Sequence, residues 1–260
     1  MVVGGVPKYD SRPYPPSEDQ IVDLSQQTRS CQKLTKYPVS TNTATGAIVS
    51  GLPMICGGGG EGTGYSRLSA YSVCYQHSKA LNTWTILTNM TNKRASSASV
   101  PLNGKLWVIG GLDNDQPDDD YSLSSTEYVS SDGDESLPGP DLPSPRYGHC
   151  AVKLSTGQVM ILGDGYGWYR GDGRLGKSVI LFDPDTEIYT SLPSLKYARS
   201  WFGCAVFKSA MHDNREVVLA AGGSNQATAE ILDYTLPNAE WTESNNSILL
   251  FYLTGCIAVS

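Results

Sequence analysis

A pair of glycines that returns at a nearly constant interval constrains this chain more than any other feature. Each pair ends a short apolar run, and the complete pairs are Gly4-Gly5, Gly57-Gly58, Gly110-Gly111 and Gly222-Gly223. One further copy, at Gly163, has Asp164 in the second place. The first four copies follow one another at intervals of 53 residues, and the last comes after 59. A period of this length indicates a structural repeat.

Each repeat contains the signals of four short strands. Apolar or alternating runs are separated by Gly, Pro, Asn and Asp, which is typical of strands joined by turns. We name the strands of a unit a to d in chain order. In the second unit they are predicted at Ala44–Val49, Leu52–Gly57, Ser69–Gln76 and Thr83–Leu87. The a strands of the next three units are predicted at Ala95–Val100, Tyr147–Leu154 and Trp201–Lys208. In the third unit strand c is predicted at Thr126–Ser130, followed by a weak strand d around Leu137. Repeated units of four strands predict an all-β fold, a β-propeller of four-stranded blades with strand a innermost.

The two ends of the chain bear on how many blades the propeller has. Met1–Gly5 is predicted as a strand b, and Leu249–Val259 as one further strand a. Either the last strand completes the first blade and closes a five-bladed ring, or the chain is a fragment of a larger propeller. In both cases we expect residues 1–260 to form a single domain.

Composition excludes some classes of partner. Charged residues make up 17% of the chain and hydrophobic residues 40%, as in a turn-rich β protein. The net charge of −7 argues against a nucleic-acid partner, because phosphate binding needs clustered Lys and Arg. No apolar run approaches the roughly 18 residues of a membrane span. We therefore expect neither nucleic-acid binding nor a membrane span.

The repeat resembles the kelch motif, in which the glycine pair is followed by a Tyr, a Trp and then an Arg before the next strand a. The second unit matches fully, with Gly57-Gly58, Tyr75, Trp84 and Arg94. Other units match in part, through Tyr128 and Arg146, Tyr189 and Arg199, and Tyr234 and Trp241. The resemblance implies a kelch-type β-propeller of about five repeats.

The residue types of the motif have structural roles. Glycine allows a positive φ and a close approach of backbone where the chain leaves strand b. The aromatic residue on strand d buries a large apolar area between blades. The planar fork of the Arg is suited to bind backbone oxygens or a carboxylate between blades.

Cysteine positions suggest one crosslink. Cys56 on strand b and Cys74 on strand c of the same unit can face each other, and a disulfide and two free thiols are equally compatible with the sequence. Cys150, Cys204 and Cys256 recur near the start of strand a, which favours small buried hydrophobic residues.

Two Asn-x-Ser/Thr sequons make Asn89 and Asn245 candidate glycosylation sites. Both follow strand d. Together with the possible disulfide they favour an extracellular, secreted protein, with a cytoplasmic one as the alternative.

Two of the loops between strands b and c are candidate binding elements. The loop at 165–174 combines Tyr, Trp and Arg, which dominate binding hot spots. Its candidate binding residues are Trp168, Tyr169, Arg170 and Arg174. The alternative is a loop folded over its own blade. The loop at 113–120 carries five Asp residues and could bind Ca²⁺, but without EF-hand spacing a solvated acidic loop is favoured.

These features predict a non-catalytic interaction module that binds a protein, or a glycan, through its b-to-c loops. The alternative is an enzyme on the same fold, either a galactose-oxidase-like oxidoreductase or a hydrolase. The three histidines, His77, His149 and His212, lie at unrelated repeat positions. We therefore expect no catalytic residues, metal or cofactor.

Overall fold

The computed structural model describes residues 20–21, 32–33, 35, 37–39, 41, 43–60, 69–113, 121–133, 135–166, 174–223 and 226–244. Within these ranges the chain is all-β apart from a 3₁₀ turn at Ala210–His212. Four antiparallel four-stranded sheets follow one another as blades of a β-propeller, which confirms the prediction of an all-β propeller with four-stranded blades and describes four of its repeats. The predicted strands Met1–Gly5 and Leu249–Val259 lie outside the described residues, and so does any closure of the ring.

The blades are numbered after the repeat units. Blade 2 contains β3 (Thr45–Val49), β4 (Leu52–Cys56), β7 (Val73–Ser78) and β8 (Thr83–Asn89). Blade 3 contains β9 (Ala98–Leu102), β10 (Lys105–Ile109), β11 (Thr126–Ser130) and β12 (Ser136–Gly139). Blade 4 contains β13 (Cys150–Lys153), β14 (Val159–Leu162), β17 (Val179–Asp183) and β18 (Ile188–Leu192). Blade 5 contains β19 (Gly203–Ser209), β20 (Arg215–Ala221), β21 (Ala229–Leu232) and β22 (Thr242–Ser244).

The remaining strands form two-residue pairs. In the first unit, β1 (Gln20–Ile21) pairs with β2 (Gln32–Lys33). Two further pairs lie in loops between strands b and c. They are β5 (Gly59–Gly60) with β6 (Ser69–Ala70), and β15 (Gly165–Tyr166) with β16 (Arg174–Leu175). No helix in the described ranges has the length and apolar character to cross a membrane.

In every blade the strands are hydrogen-bonded in the order a, b, c, d. The a strands of successive blades contact one another, so they line the axis, and each d strand is an outer edge. The tight a-to-b turn of blade 3 shows why its sequence suits a hairpin. Asn103 and Gly104 have φ values of 49° and 74°, and Asn-Gly is the preferred pair for such a turn.

The a strands of blades 3 to 5 begin two or three residues later than predicted. Predicted starts at Ala95, Tyr147 and Trp201 become Ala98, Cys150 and Gly203. The residues ahead of these strands include Ser96 and Trp201, whose φ values are 54° and 52°. Left-handed backbone cannot continue a β ladder, so pairing starts only beyond it.

Apolar side chains fill the spaces between blades. On each b strand alternate residues face opposite neighbours. On β10, Leu106 and Val108 pack towards blade 2, while Trp107 and Ile109 pack towards blade 4. All four are fully buried. The core of this protein is therefore a series of interfaces between blades.

The aromatic residues of strand d make an equivalent bond in three units. Trp84 Nε1 donates to the carbonyl of Thr35 at 3.1 Å, and Trp241 Nε1 to that of Pro193 at 2.9 Å. In blade 4 the Tyr189 hydroxyl donates to the carbonyl of Pro140 at 3.1 Å. Each acceptor precedes the blade that carries the donor. The predicted role of these residues between blades is confirmed, with Tyr replacing Trp in blade 4.

Candidate binding face

One face of the propeller carries the connections from strand b to strand c and from strand d to the next strand a. The chain leaves each b strand at this face, and it also returns there from each d strand to the next a strand. We call this surface the loop face. The glycine pairs lie where the b strands end, so they mark its inner rim.

The glycine pairs are required by close packing at this rim. Gly111 has a φ of 104°, and a methyl group on it would lie 2.8 Å from the carbonyl oxygen of Ala95. The carbonyl of Arg94 lies closer still to the same position at Gly57. At either glycine, a larger residue would displace the segment that leads into strand a of blade 3. The predicted role of these glycines is confirmed.

The motif arginines anchor the loops that enter each blade. Arg94 is fully buried, and its guanidinium donates to the carbonyls of Gly110 and Ser125 at 2.9 and 2.7 Å. It also forms an ion pair with Glu127 at 2.8 Å. Glu127 in turn accepts the backbone N–H of Thr91. The predicted binding of backbone and carboxylate is confirmed, although both partners lie in the blade that the loop enters rather than between blades.

Blade 5 repeats this arrangement. Arg199 donates to the carbonyls of Gly222 and Thr228 and pairs with Glu230 at 2.8 Å, with both charged side chains fully buried. Glu230 accepts the backbone N–H groups of Lys196 and Tyr197. One carboxylate therefore neutralises the arginine and fixes the entering loop.

Blade 4 departs from this pattern. Ile180 occupies the position of the glutamate, and Pro143, which has no N–H, occupies the position of Thr91. Arg146 donates to the carbonyl of Gly163 at 2.8 Å, but its Nε has no hydrogen-bond partner among the described residues. Burial lowers the pKa of Arg146 below its ordinary value, and the nearby charge of Asp164 opposes that shift. The aspartate that interrupts the glycine pairs is thus a charge near this arginine.

A chain of backbone hydrogen bonds connects the blades around the axis. Ser96 N donates to the carbonyl of Thr43 at 3.0 Å, Gly148 N to that of Ser96 at 2.8 Å, and Trp201 N to that of Gly148 at 2.7 Å. All four residues have φ between 52° and 60°. Each is the second residue after the place of the motif arginine, so one such residue precedes the a strand of every described blade.

Trp201 lies across this chain at the loop face. Its indole Nε1 donates to Oγ of Ser96 at 3.2 Å, although the two residues are two blades apart. The Tyr147 ring lies 5.9 Å from the Trp201 ring. Trp201 is half-buried, whereas Trp84, Trp107 and Trp241 are buried. An accessible aromatic group therefore lies near the axis of this face.

The sequence reasoning missed Trp201. It was assigned to strand a as an ordinary strand residue. One signal was available in the positions of the tryptophans. Trp84 lies on strand d, Trp241 directly before one and Trp107 on strand b, whereas Trp201 is the second residue after the motif arginine Arg199. A large aromatic residue at that position matches no structural role of the repeat.

Most of the predicted binding residues are not described by the structure. Trp168, Tyr169 and Arg170 lie outside the described residues, and Arg174 is described only as a backbone member of β16. The loop that carries them starts beside the axis, because Gly165 forms a β-bridge with Tyr147. Their role in binding stays a prediction.

The acidic loop is described only at its first residue. Asp113 is buried, and its N–H donates to the carbonyl of Tyr121 at 2.9 Å, while residues 114–120 lie outside the described ranges. Among the described residues no group of three or more His, Cys, Asp or Glu side chains is arranged to hold a metal ion. Calcium binding by 113–120 stays untested.

The described histidines lie in three separate places. His77 packs against Trp84 with ring centroids 5.0 Å apart, and His212 is hydrogen-bonded to Ser209 at the opposite face. His149 is buried between blades 3 and 4, where a methyl group on Gly110 would lie 3.2 Å from its Cε1. Its ring nitrogens have no hydrogen-bond partner in the described part of the chain.

Burial and the charge of Arg146 lower the pKa of His149 to about 3. The ring is therefore neutral at physiological pH. The equivalent residue of blade 5 is Phe202, which is also buried against glycine. His149 thus occupies an apolar packing position.

Two disulfides join the described cysteines. The Cys56–Cys74 bond links β4 to β7 within blade 2, as the sequence allowed. Cys150 and Cys204 are also joined, which corrects the expectation of small buried hydrophobic residues. In register, Cys204 lies one position further along its strand than Cys150, so the bond connects neighbouring a strands.

The equivalent junction, between the a strands of blades 2 and 3, carries a hydrogen bond instead of a disulfide. Thr45 Oγ1 donates to Oγ of Ser99 at 2.8 Å, and these residues occupy the register positions of Cys150 and Cys204. Spacing along the chain placed both cysteines near the start of strand a but did not fix their register across the blades. That offset of one residue allows the crosslink.

Comparisons with known proteins agree with the repeat and the fold. No family model matches the chain. It is 28% identical over 141 residues to human Kelch-like protein 33, and 26% identical over 150 residues to Kelch repeat and BTB domain-containing protein 12 of Danio rerio. Each match covers 54% of this chain but only 24% and 21% of the relatives, so the chain corresponds to less than a quarter of their length.

A solved structure is similar in fold. The structure of YjhT superposes with a TM-score of 0.61 over 82% of this chain and 69% of that one, at 18% identity. This likeness concerns the fold alone.

Proposed function

The chain is a β-propeller of the kelch-repeat type, and we propose that it is a non-catalytic interaction module that binds a protein partner at its loop face. The observation that carries this proposal is the half-buried Trp201 near the axis, which packs against the fully buried Tyr147. Tryptophan near the centre of a surface is among the residues that dominate protein interfaces. A glycan is the alternative ligand for this indole.

The surrounding framework supports this use. The loops that enter blades 3 and 5 are fixed by the buried ion pairs of Arg94 with Glu127 and Arg199 with Glu230. Trp201 itself is held by its backbone and by its bond to Ser96. A rigid surface loses little conformational entropy when it binds, which favours affinity.

The test compares variants of the two faces. Trp201→Ala removes the half-buried indole of the loop face, and Trp168→Ala and Tyr169→Ala remove aromatic groups of the predicted binding loop. Met211→Ala is the matched control, because Met211 is 92% exposed on the opposite face. Partners captured by the immobilised chain from its natural source are quantified by mass spectrometry.

We expect each loop-face variant to lower recovery of the same partner at least about tenfold, equivalent to about 1.4 kcal/mol, while the control leaves it unchanged. Equal recovery by all four variants would contradict the proposal. Loss of a carbohydrate ligand with no loss of any protein would favour the glycan alternative.

An enzyme on this fold remains the second possibility. It requires histidine and tyrosine side chains that converge on one cavity. His149, which directly precedes strand a of blade 4, is instead packed against Gly110 in a buried position. This placement supports binding over catalysis, and assays for oxidase and esterase activity on the whole chain would test the alternative.

We further propose that the propeller has five repeats and that residues 249–259 complete the first blade, which would then lie beside blade 5. Leu219 and Ala221 of β20 are half-buried, whereas the equivalent Met160 and Leu162 of blade 4 are fully buried by their neighbour. An apolar surface of this kind calls for a covering strand. If it is covered, Leu219→Asp should destabilise the fold by about 3 kcal/mol or more, as a buried unpaired charge does. A change within about 0.5 kcal/mol, as at an exposed site, would favour an open fragment.

The two disulfides support an oxidising compartment outside the cytoplasm, because such bonds rarely persist under reducing conditions. The measurement is the mass of the native protein after alkylation without reductant. Alkylation of Cys56, Cys74, Cys150 and Cys204 would refute this localisation.

A further inference from the structure

The end of β8 presents an acceptor sequence that the proposed binding activity does not use. β8 is the outer edge strand of blade 2, and Asn89 is its last residue. Asn89 and Thr91 are exposed, whereas Met90 between them is buried in the core shared by blades 2 and 3. Alternate residues of an extended chain point to the same side, so the two polar side chains face solvent together.

The backbone of this segment is fixed while its side chains are not. Met90 N donates to the carbonyl of Ser72 at 2.8 Å, and Thr91 N to the Glu127 carboxylate at 2.6 Å. Within the described ranges, no hydrogen bond joins the Asn89 amide or the Thr91 hydroxyl to another residue. A carbohydrate attached at Asn89 would therefore displace no contact of the fold.

The structure assigns Asn89 as an N-glycosylation site. In the reaction, Asn89 Nδ2 attacks the anomeric carbon of a lipid-pyrophosphate-linked oligosaccharide donor. The new C–N bond replaces the C–O bond to the pyrophosphate, the lipid pyrophosphate leaves, and the amide nitrogen releases one proton to solvent. The donor and the transferase belong to the secretory pathway, so this inference rests on the oxidising compartment proposed above.

The position also gives the modification a physical role. An exposed edge strand with apolar side chains is a template for pairing with another chain. On β8, Ile86 is 65% exposed, three residues before Asn89. A glycan at the end of the strand covers this edge and lies away from the axis, where Trp201 is located. It therefore leaves the centre of the loop face accessible.

The direct experiment uses the full chain isolated from its natural source. The tryptic peptide of residues 80–93 contains Asn89 and no other sequon. Enzymatic removal of N-glycans in heavy-oxygen water converts an occupied Asn89 to a labelled aspartate, which is read by mass spectrometry. The same sample, alkylated without reductant, reports the state of the four described cysteines.

The outcomes separate the two proposals. Labelled residue 89 together with both disulfides is the expected result. Intact disulfides with unlabelled Asn89 would overturn this inference and leave the compartment standing. Free thiols with unlabelled Asn89 would overturn both.

Variants identify the acceptor by its chemistry. In cells that secrete the chain, Asn89→Gln and Thr91→Ala should each remove one glycan, while Thr91→Ser should retain it. Asn245→Gln, at the other sequon, is the matched control and should leave residue 89 occupied. The changes at residues 89 and 91 should leave the unfolding temperature within about 2 °C, because both side chains are exposed. A glycan retained in Asn89→Gln at this peptide would contradict the assignment.

Discussion

Lowering the pH below about 6.5 is expected to destabilise the propeller through one side chain, His149. Burial and the charge of Arg146 lower its pKa from 6.5 to about 3. In this range the unfolded chain binds a proton that the folded chain does not, so stability is complete above the unfolded pKa and falls as the pH decreases. The slope is about 1.4 kcal/mol per pH unit, which amounts to about 3 kcal/mol between pH 6.5 and about pH 4.

His149→Phe isolates this contribution. Phenylalanine already occupies the equivalent position in blade 5, at Phe202, so its shape suits the site. The change removes the titrating group and also two ring nitrogens that have no partner in the described structure. We expect the free energy of unfolding to rise by about 1–3 kcal/mol at neutral pH, since a buried unsatisfied polar group is removed.

The assay is urea unfolding followed by tryptophan fluorescence, at several pH values between about 7 and 5. The wild-type protein should lose stability along this series, and His149→Phe should lose much less. His212→Gln is the control, because His212 lies in the 3₁₀ turn at the face opposite the loop face and not between blades. The reasoning would be refuted if the wild-type protein and His149→Phe had the same slope.

Glu127 contributes at lower pH. Burial alone would raise the pKa of Glu127, but the Arg94 guanidinium and the Thr91 N–H together bring it below the ordinary 4.5. Its contribution to stability is therefore present above pH 4.5 and is lost as the pH falls further. The two groups act in separate pH ranges, so the series above reports on His149.

Two further comparisons test the framework. Arg94→Met leaves a buried carboxylate without its partner and should cost about 3–5 kcal/mol, whereas Arg146→Met leaves only one carbonyl without a donor and should cost about 1–3 kcal/mol. Urea unfolding measures both, and an equal or larger cost at Arg146 would contradict the difference between the blades. Replacing Cys150 and Cys204 by Ser should cost about 4 kcal/mol, because that bond closes 54 residues, against about 3 kcal/mol for the disulfide of blade 2, which closes 18. Thermal unfolding of both double variants checks this order, and a larger loss of stability without the disulfide of blade 2 would contradict it.

Much of the architecture follows from periodicity. The spacing of the glycine pairs predicted the blades, because the pairs lie where every b strand meets the next entering loop. Thr126–Ser130 is predicted to the residue, and the weak strand d around Leu137 is present as β12. Local patterns carry this information since each strand needs only apolar residues and a turn.

Features that join different blades were harder to predict. The Cys150–Cys204 bond depends on a register shift of one residue, which pairing across blades determines and spacing along the chain does not. Trp201 reaches Ser96 two blades away because of its left-handed backbone, a conformation that sequence pattern rarely reveals for tryptophan. The predicted binding loop at 165–174 begins beside Tyr147, at Gly165, while Trp201 itself was not predicted.

The inter-blade chain of hydrogen bonds has a consequence for how this surface can change. Its links at Thr43, Ser96, Gly148 and Trp201 use only backbone N–H and carbonyl groups. The side chains at these equivalent places differ widely, from the hydroxyls of threonine and serine to the hydrogen atom of glycine and the indole of tryptophan. All four residues adopt a left-handed backbone conformation. The fold therefore holds the middle of its loop face by groups that every residue except proline possesses. The side chains at Thr43, Ser96 and Trp201 differ while the connection between blades stays the same, so new specificity can arise at such positions. Gly148 is the exception, because a methyl group there would collide with Oγ of Ser200.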